Sequence, residues 1–127
     1  MNSEILERHF ERLKGLFAGA MLTQRPDGTA LVRIRDFSLP AGWNPGRTDL
    51  VFLIPLGYPV ARPDCFWVRA DVRLATGAQP ANSAINNAHG DPEPMLWFSF
   101  HPTTWNPNHD NLVTYVRIIE RRLVDLR

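Results

Sequence analysis

Two side chains in the segment Phe98-Ser99-Phe100-His101 have the chemistry of a nucleophile and its base. A serine hydroxyl becomes nucleophilic only when a neighbour takes its proton, and imidazole is the usual acceptor at neutral pH. If this short apolar segment is a strand, residues two apart share a face. Ser99 and His101 then project together while Phe98 and Phe100 alternate into the core. Such a pair could carry or position an acyl group as an oxyester. The competing reading is that both merely satisfy backbone groups in a tight loop, and residue types alone leave the two level.

The single cysteine, Cys65, has Asp64 before it and Phe66-Trp67 after it. A reactive thiol needs a nearby cation or a helix N-terminus, and access to solvent. Nothing local offers these, so Cys65 reads as a buried strand residue and only as the fallback acyl carrier. His109 stands beside Asp110 where a helical stretch opens. An oriented His109 imidazole could serve a binding site, although Asp110 as a helix N-cap is the simpler account. In Asn86-Asn87-Ala88-His89-Gly90-Asp91, Asn87 could donate to a developing oxyanion, against the plain alternative of solvated loop polarity. The spacing of His89, Asp91, His101 and His109 matches no compact ligand motif, and no second cysteine joins them. Neither a metal nor a cofactor is expected.

The elements that must position these groups follow from periodicity. Residues 3–17 read as an amphipathic helix, with Leu6, Phe10, Leu13 and Phe17 on one face and Asn2 or Ser3 as cap. A first strand over 18–23, the turn Pro26-Asp27-Gly28 and a second strand around Val32 and Ile34 come next. Residues 38–46 are a turn-rich connection. The apolar run 50–54 reads as a central strand buried on both faces, and 65–68 as a fourth strand. Residues 75–94 lack large apolar side chains and read as one long irregular loop, a kind that is commonly functional. The clearest helix spans 110–126, with Leu112, Tyr115, Val116, Ile119, Leu123 and Leu126 as its stripe. The Trp residues at 43, 67, 97 and 105 read as core and elbow packing, not as a platform for stacked bases.

At 127 residues the chain is expected to be one domain, 1–127, of α+β class. Its net charge of +1 is spread evenly, which excludes the clustered positive field that nucleic acid requires. No apolar run is long enough to span a bilayer, so no membrane partner is expected, and one cysteine suits a reducing cytoplasm.

Ile54-Pro-Leu-Gly-Tyr-Pro-Val-Ala-Arg-Pro-Asp64 joins these elements through an elbow with little conformational freedom. The order of helix, meander, Tyr-Pro-x-x-x-Pro elbow, long loop, Trp-x-Pro and helix resembles the ubiquitin-conjugating (UBC) fold over nearly the whole chain. Tyr58, Pro59 and Pro63 stand at the places of that family's elbow, with Arg62 replacing a proline, and Trp105-Asn106-Pro107 matches its Trp-x-Pro. Phe98-Ser99-x-His101 followed by this Trp-x-Pro is most similar to a bacterial branch. Members of that branch are linked with ubiquitin-like proteins, activating enzymes and deubiquitinase-like peptidases in compact operons, a setting of antiphage defence. The chain departs from the ordinary family in lacking His-Pro-Asn and any cysteine shortly before Trp105.

The resemblance implies a transferase-like protein that receives or positions the C-terminus of a ubiquitin-like protein from an activating enzyme for transfer to an amine. The alternative it implies is a non-catalytic module that only binds one of these partners. Ser99 and His101 are the candidate catalytic pair; Tyr58, Pro59, Trp105, Asn87 and His109 are the expected binding residues. The N-terminal helix is the expected dock for the activating enzyme.

Overall fold

The computed structural model describes residues 3–127, and they form an α+β fold with a helix at each end and an antiparallel sheet between. Helix α1 (Ser3–Leu16) buries Leu6, Phe10 and Leu13 on one face and turns its charges to solvent. Of the two capping candidates, Asn2 lies outside the described residues and Ser3 is the first residue of α1.

Strands β1 (Ala20–Gln24), β2 (Ala30–Ser38), β4 (Arg47–Ile54) and β5 (Phe66–Arg69) form the expected meander. Two further strands extend it. β8 (Met95–Phe98) pairs with β5, and β7 (Ser83–Asn86) pairs with β8, giving the order β1-β2-β4-β5-β8-β7. The stretch 75–94 is therefore not wholly irregular: it contains β7, an edge strand whose one large apolar residue, Ile85, is exposed, so that it carries little hydrophobic signal. The connection at 38–46 likewise holds a two-residue strand, β3 (Trp43–Asn44), paired with β6 (Arg73–Leu74).

The inner face of the sheet supplies Val32, Ile34, Leu50, Phe52, Phe66, Val68, Leu96 and Phe98 to one core. That core is closed by α1 and by α2 (Leu112–Val124), whose Leu112, Tyr115, Val116, Ile119 and Leu123 are fully buried. Each such side chain contributes roughly 1.5–3 kcal/mol by leaving water. On the outer face Leu31, Val51, Trp67 and Met95 form a second, smaller cluster. Segment 87–94 lies over it, with the His89 ring edge-on to Trp67 at 5.5 Å, Arg25 donating to the His89 carbonyl, and Arg33 paired with Asp91. Central β4 is thus packed on both faces, as its unbroken apolar run requires. Among the described residues no helix is long and apolar enough to cross a membrane.

Candidate functional site

After Ile54 the chain turns through an elbow in which Gly57 adopts φ +83 and the Tyr58–Pro59 peptide is cis. Tyr58 is only 1% exposed, and burial holds its phenol well above the ordinary range, so the hydroxyl keeps its proton. It shares a hydrogen bond with His9 Nδ1 at 2.7 Å. Burial, with Arg12 and Arg8 nearby, lowers the His9 pKa and so favours its neutral form. Trp105 packs beside Tyr58, with ring centroids 6.4 Å apart, and its Nε1–H donates to the Pro59 carbonyl at 2.8 Å. Arg62, which stands where the family pattern has proline, donates through Nε to the Pro102 carbonyl at 3.1 Å. Two crosslinks therefore tie the elbow to the 99–108 segment. Tyr58 and Pro59 serve here as the floor and latch of that segment.

The elbow delivers the chain to Asp64 and Cys65 just before β5, beside the segment leaving β8. Cys65 is half-buried and lies outside the strand, which begins at Phe66. Its φ of +59 breaks the strand pleat. His101 Nδ1 meets Asp64 Oδ2 at 3.1 Å, with both side chains about half exposed. Since a carboxylate only accepts, Nδ1–H is the donor and Nε2 is left as the basic nitrogen. Cys65 Sγ, a His101 ring nitrogen and an Asp64 oxygen all lie within 4.8 Å of one another. Cys65 is thus not the enclosed strand residue that its neighbours suggested. Its surroundings are the carboxylate of its chain neighbour Asp64 and the His101 imidazole, brought in by the segment that leaves β8.

Ser99 is exposed just past the end of β8, and its backbone N–H donates to the Asn82 carbonyl at 2.8 Å. Phe98 and Phe100 do turn inward, stacking on Phe66 at 4.5 Å and meeting its edge at 5.8 Å. Ser99 and His101 both remain accessible, but the hydrogen bond from the imidazole goes to Asp64. No hydrogen bond joins Ser99 to His101 among the described residues.

The remaining candidates separate. Asn87 follows the far end of β7, whose Ser83 is opposite Phe98 and whose Asn86 is opposite Met95. Four steps of about 3.4 Å, from Asn87 back to Ser83, put it on the order of 14 Å from the Ser99 end of the strand pair. His89 is buried on the outer face, with Nδ1 accepting from the Asp91 N–H at 3.1 Å and Nε2 without a partner. Burial is the largest cause lowering its pKa; Asp91 opposes that shift while Arg33 and Arg25 reinforce it. His109 is exposed in the turn that precedes α2. Asp110 does not cap the helix: its Oδ2 accepts from the Asn106 N–H at 2.7 Å. The cap is Asn111, whose side chain accepts from Val113 and Thr114 while Thr114 Oγ1 accepts from the Asn111 N–H. The set His89, Asp91, His101 and His109 does not assemble. Among the described residues the group close enough to share an ion is Asp64, Cys65 and His101.

A family model described as Prokaryotic E2 family E matches residues 20–125, from β1 to the end of α2. This chain belongs to Prokaryotic E2 family E. No curated protein and no solved structure matches it. In this E2-family chain the matched region contains the elbow, the Trp-x-Pro and all three converging side chains. Asp64 is not among the residues that the sequence singles out, and Cys65 stands there only as the fallback. One signal pointed to them: the Asp-Cys pair directly follows a proline-stiffened elbow, where chain direction is fixed and a side chain can be held in place.

Proposed function

We propose that this chain is an acyl carrier of a bacterial ubiquitin-like conjugation pathway, working in the cytoplasm, with Cys65 as its thiol. The observation that carries this reading is the convergence of Cys65, His101 and Asp64 within 4.8 Å. In the loading step the Cys65 sulfur attacks the thioester carbonyl that joins the C-terminus of a ubiquitin-like protein to its activating enzyme. The thiol proton passes to His101, the new C–S bond forms, and the old one breaks. The departing thiolate of the activating enzyme then takes up the proton. In the transfer step a target amine attacks the same carbonyl, forming C–N as the bond to Cys65 breaks. The amine proton goes to His101 and from there back to the Cys65 sulfur. Asp64 holds the imidazole in the tautomer that leaves Nε2 free.

Ser99 is an alternative carrier two residues from the same base, and an oxyester would mark it. A second reading, an adaptor that binds the ubiquitin-like protein or the activating enzyme without chemistry, is favoured by one fact: residues 95–104 contain no cysteine. Intact-mass spectrometry after incubation with the cognate activating enzyme, ubiquitin-like protein and ATP separates these. The expected result is a thiol-sensitive adduct abolished by Cys65→Ala and retained in Ser99→Ala. A hydroxide-sensitive adduct lost in Ser99→Ala moves the role to the hydroxyl. Retained binding with no adduct establishes the adaptor, and bound metal in the purified protein overturns acyl transfer at this site.

A further inference from the structure

Successive residues of an extended strand point to opposite faces. Asp64 and Cys65 are successive, yet both side chains reach His101. The backbone break that permits this is the left-handed conformation of Cys65, with φ +59. Among the described non-glycine residues only Asp36, Cys65 and Asn82 have positive φ. Aspartate and asparagine enter that region readily because their short polar side chains bond locally; cysteine has no such compensation. A residue stays there only when its surroundings over-determine it.

Two short hydrogen bonds do so. The Cys65 N–H donates to the Phe100 carbonyl at 2.6 Å, and the Cys65 carbonyl accepts from the Tyr115 hydroxyl at 2.6 Å. Phe100 directly precedes His101, so the first bond sets the spacing between thiol and imidazole. The second comes from inside the core. Tyr115 is fully buried in α2, edge-on to Phe52 with centroids 5.0 Å apart. Phenylalanine would fill that space equally well, whereas a buried phenol requires a polar partner. Burial, reinforced by Cys65 and Asp64, holds the phenol far above its ordinary range, so the hydroxyl is a permanent donor.

We infer that Tyr115 is a positioning residue: by holding the Cys65 carbonyl it maintains the left-handed turn that brings the thiol to His101. This rests on the reading of Cys65 as the acyl carrier, and its test needs no partner protein. Because the chain has one cysteine, the mass shift on alkylation with iodoacetamide reports Cys65 alone. In the intact protein at pH 7, His101→Gln and Tyr115→Phe are each expected to slow alkylation by about tenfold or more, the scale on which a lost base or a misplaced reacting group is felt. If both act through one contact, the double variant is no slower than the slower single. Phe52→Leu, which loosens the same packing but spares the hydroxyl, is expected to keep the rate of the unaltered protein. A cooperative thermal transition confirms folding of each variant.

Should His101→Gln slow alkylation while Tyr115→Phe leaves it unchanged, the inference falls and the carrier reading stands. Multiplicative effects in the double variant, or a Phe52→Leu loss equal to that of Tyr115→Phe, also overturn it in favour of simple packing. An unchanged rate in His101→Gln overturns the thiol–imidazole reading and the inference with it.

Discussion

The Trp105 indole N–H donates to the Pro59 carbonyl across 2.8 Å, joining the Trp-x-Pro turn to the Tyr-Pro elbow. These segments lie 46 positions apart in sequence, the elbow running up to Cys65 and the turn following shortly after His101. Trp105→Phe keeps the ring but leaves the Pro59 carbonyl without its donor. The expected loss of stability is about 1–2 kcal/mol, the scale of a part-buried hydrogen bond with a widowed partner. Urea unfolding measures the loss. Hydrogen exchange is expected to quicken over residues 99–108 and to stay unchanged in β2.

Helix α2 carries Tyr115 to the site, and its start is set by Asn111. Asn111→Ala removes the acceptor for two helical N–H groups and is expected to cost about 1 kcal/mol. Asp110→Ala removes a turn contact to Asn106 and is expected to cost less, about 0.5 kcal/mol. Equal losses in chemical denaturation would return the cap to Asp110.

The difference between those neighbours shows what the sequence could and could not say. The stripe of α2 from Leu112 to Leu123, the meander and the elbow were legible because each depends on local periodicity or on proline, whose restriction needs no context; Leu126, expected in the stripe, lies past the end of α2 and is half exposed. The start of α2 was displaced because Asp110 and Asn111 are both good caps by type, and only the Thr114 partner decides between them. Strand β7 was hidden because its one large apolar residue, Ile85, is exposed at a sheet edge. The union of Asp64 and Cys65 with His101 was the least legible. It joins positions 37 apart through a pairing of β5 with β8 that skips two intervening strands, β6 and β7, and it depends on a positive φ at a residue that is not glycine. No residue-type pattern announces either feature.

Stability is expected to fall in mild acid because of His89. Its folded pKa lies below the unfolded value of 6.5, so the unfolded chain binds the proton first as pH drops. The stabilising contribution is complete above pH 6.5 and is lost as pH falls towards and through the folded value. His9, lowered for the same reason, adds to the effect with the same sign. Urea midpoints are expected to decrease from pH 7 to pH 5, and His89→Gln to flatten the decrease. A full-sized decrease in His89→Gln would assign the effect to other groups.

Asp64 and His101 are both about half exposed, so the hydrogen bond between carboxylate and imidazole is screened and worth about 1 kcal/mol or less. That magnitude sets the expected effect of Asp64→Asn on loading of the ubiquitin-like protein: about fivefold or less, since each 1.4 kcal/mol corresponds to a factor of ten. Cys65→Ala removes the sulfur that bonds to the acyl group and is expected to abolish loading. His101→Gln, which removes the proton acceptor, should fall between these two. High salt is expected to narrow the gap between Asp64→Asn and the unaltered protein, because screening weakens the very contact that the substitution deletes. Single-turnover loading assays at low and high ionic strength give the order directly. A loss in Asp64→Asn as large as that in Cys65→Ala would mean that the carboxylate is needed for more than orienting the ring, with shared metal ligation as the reading to pursue.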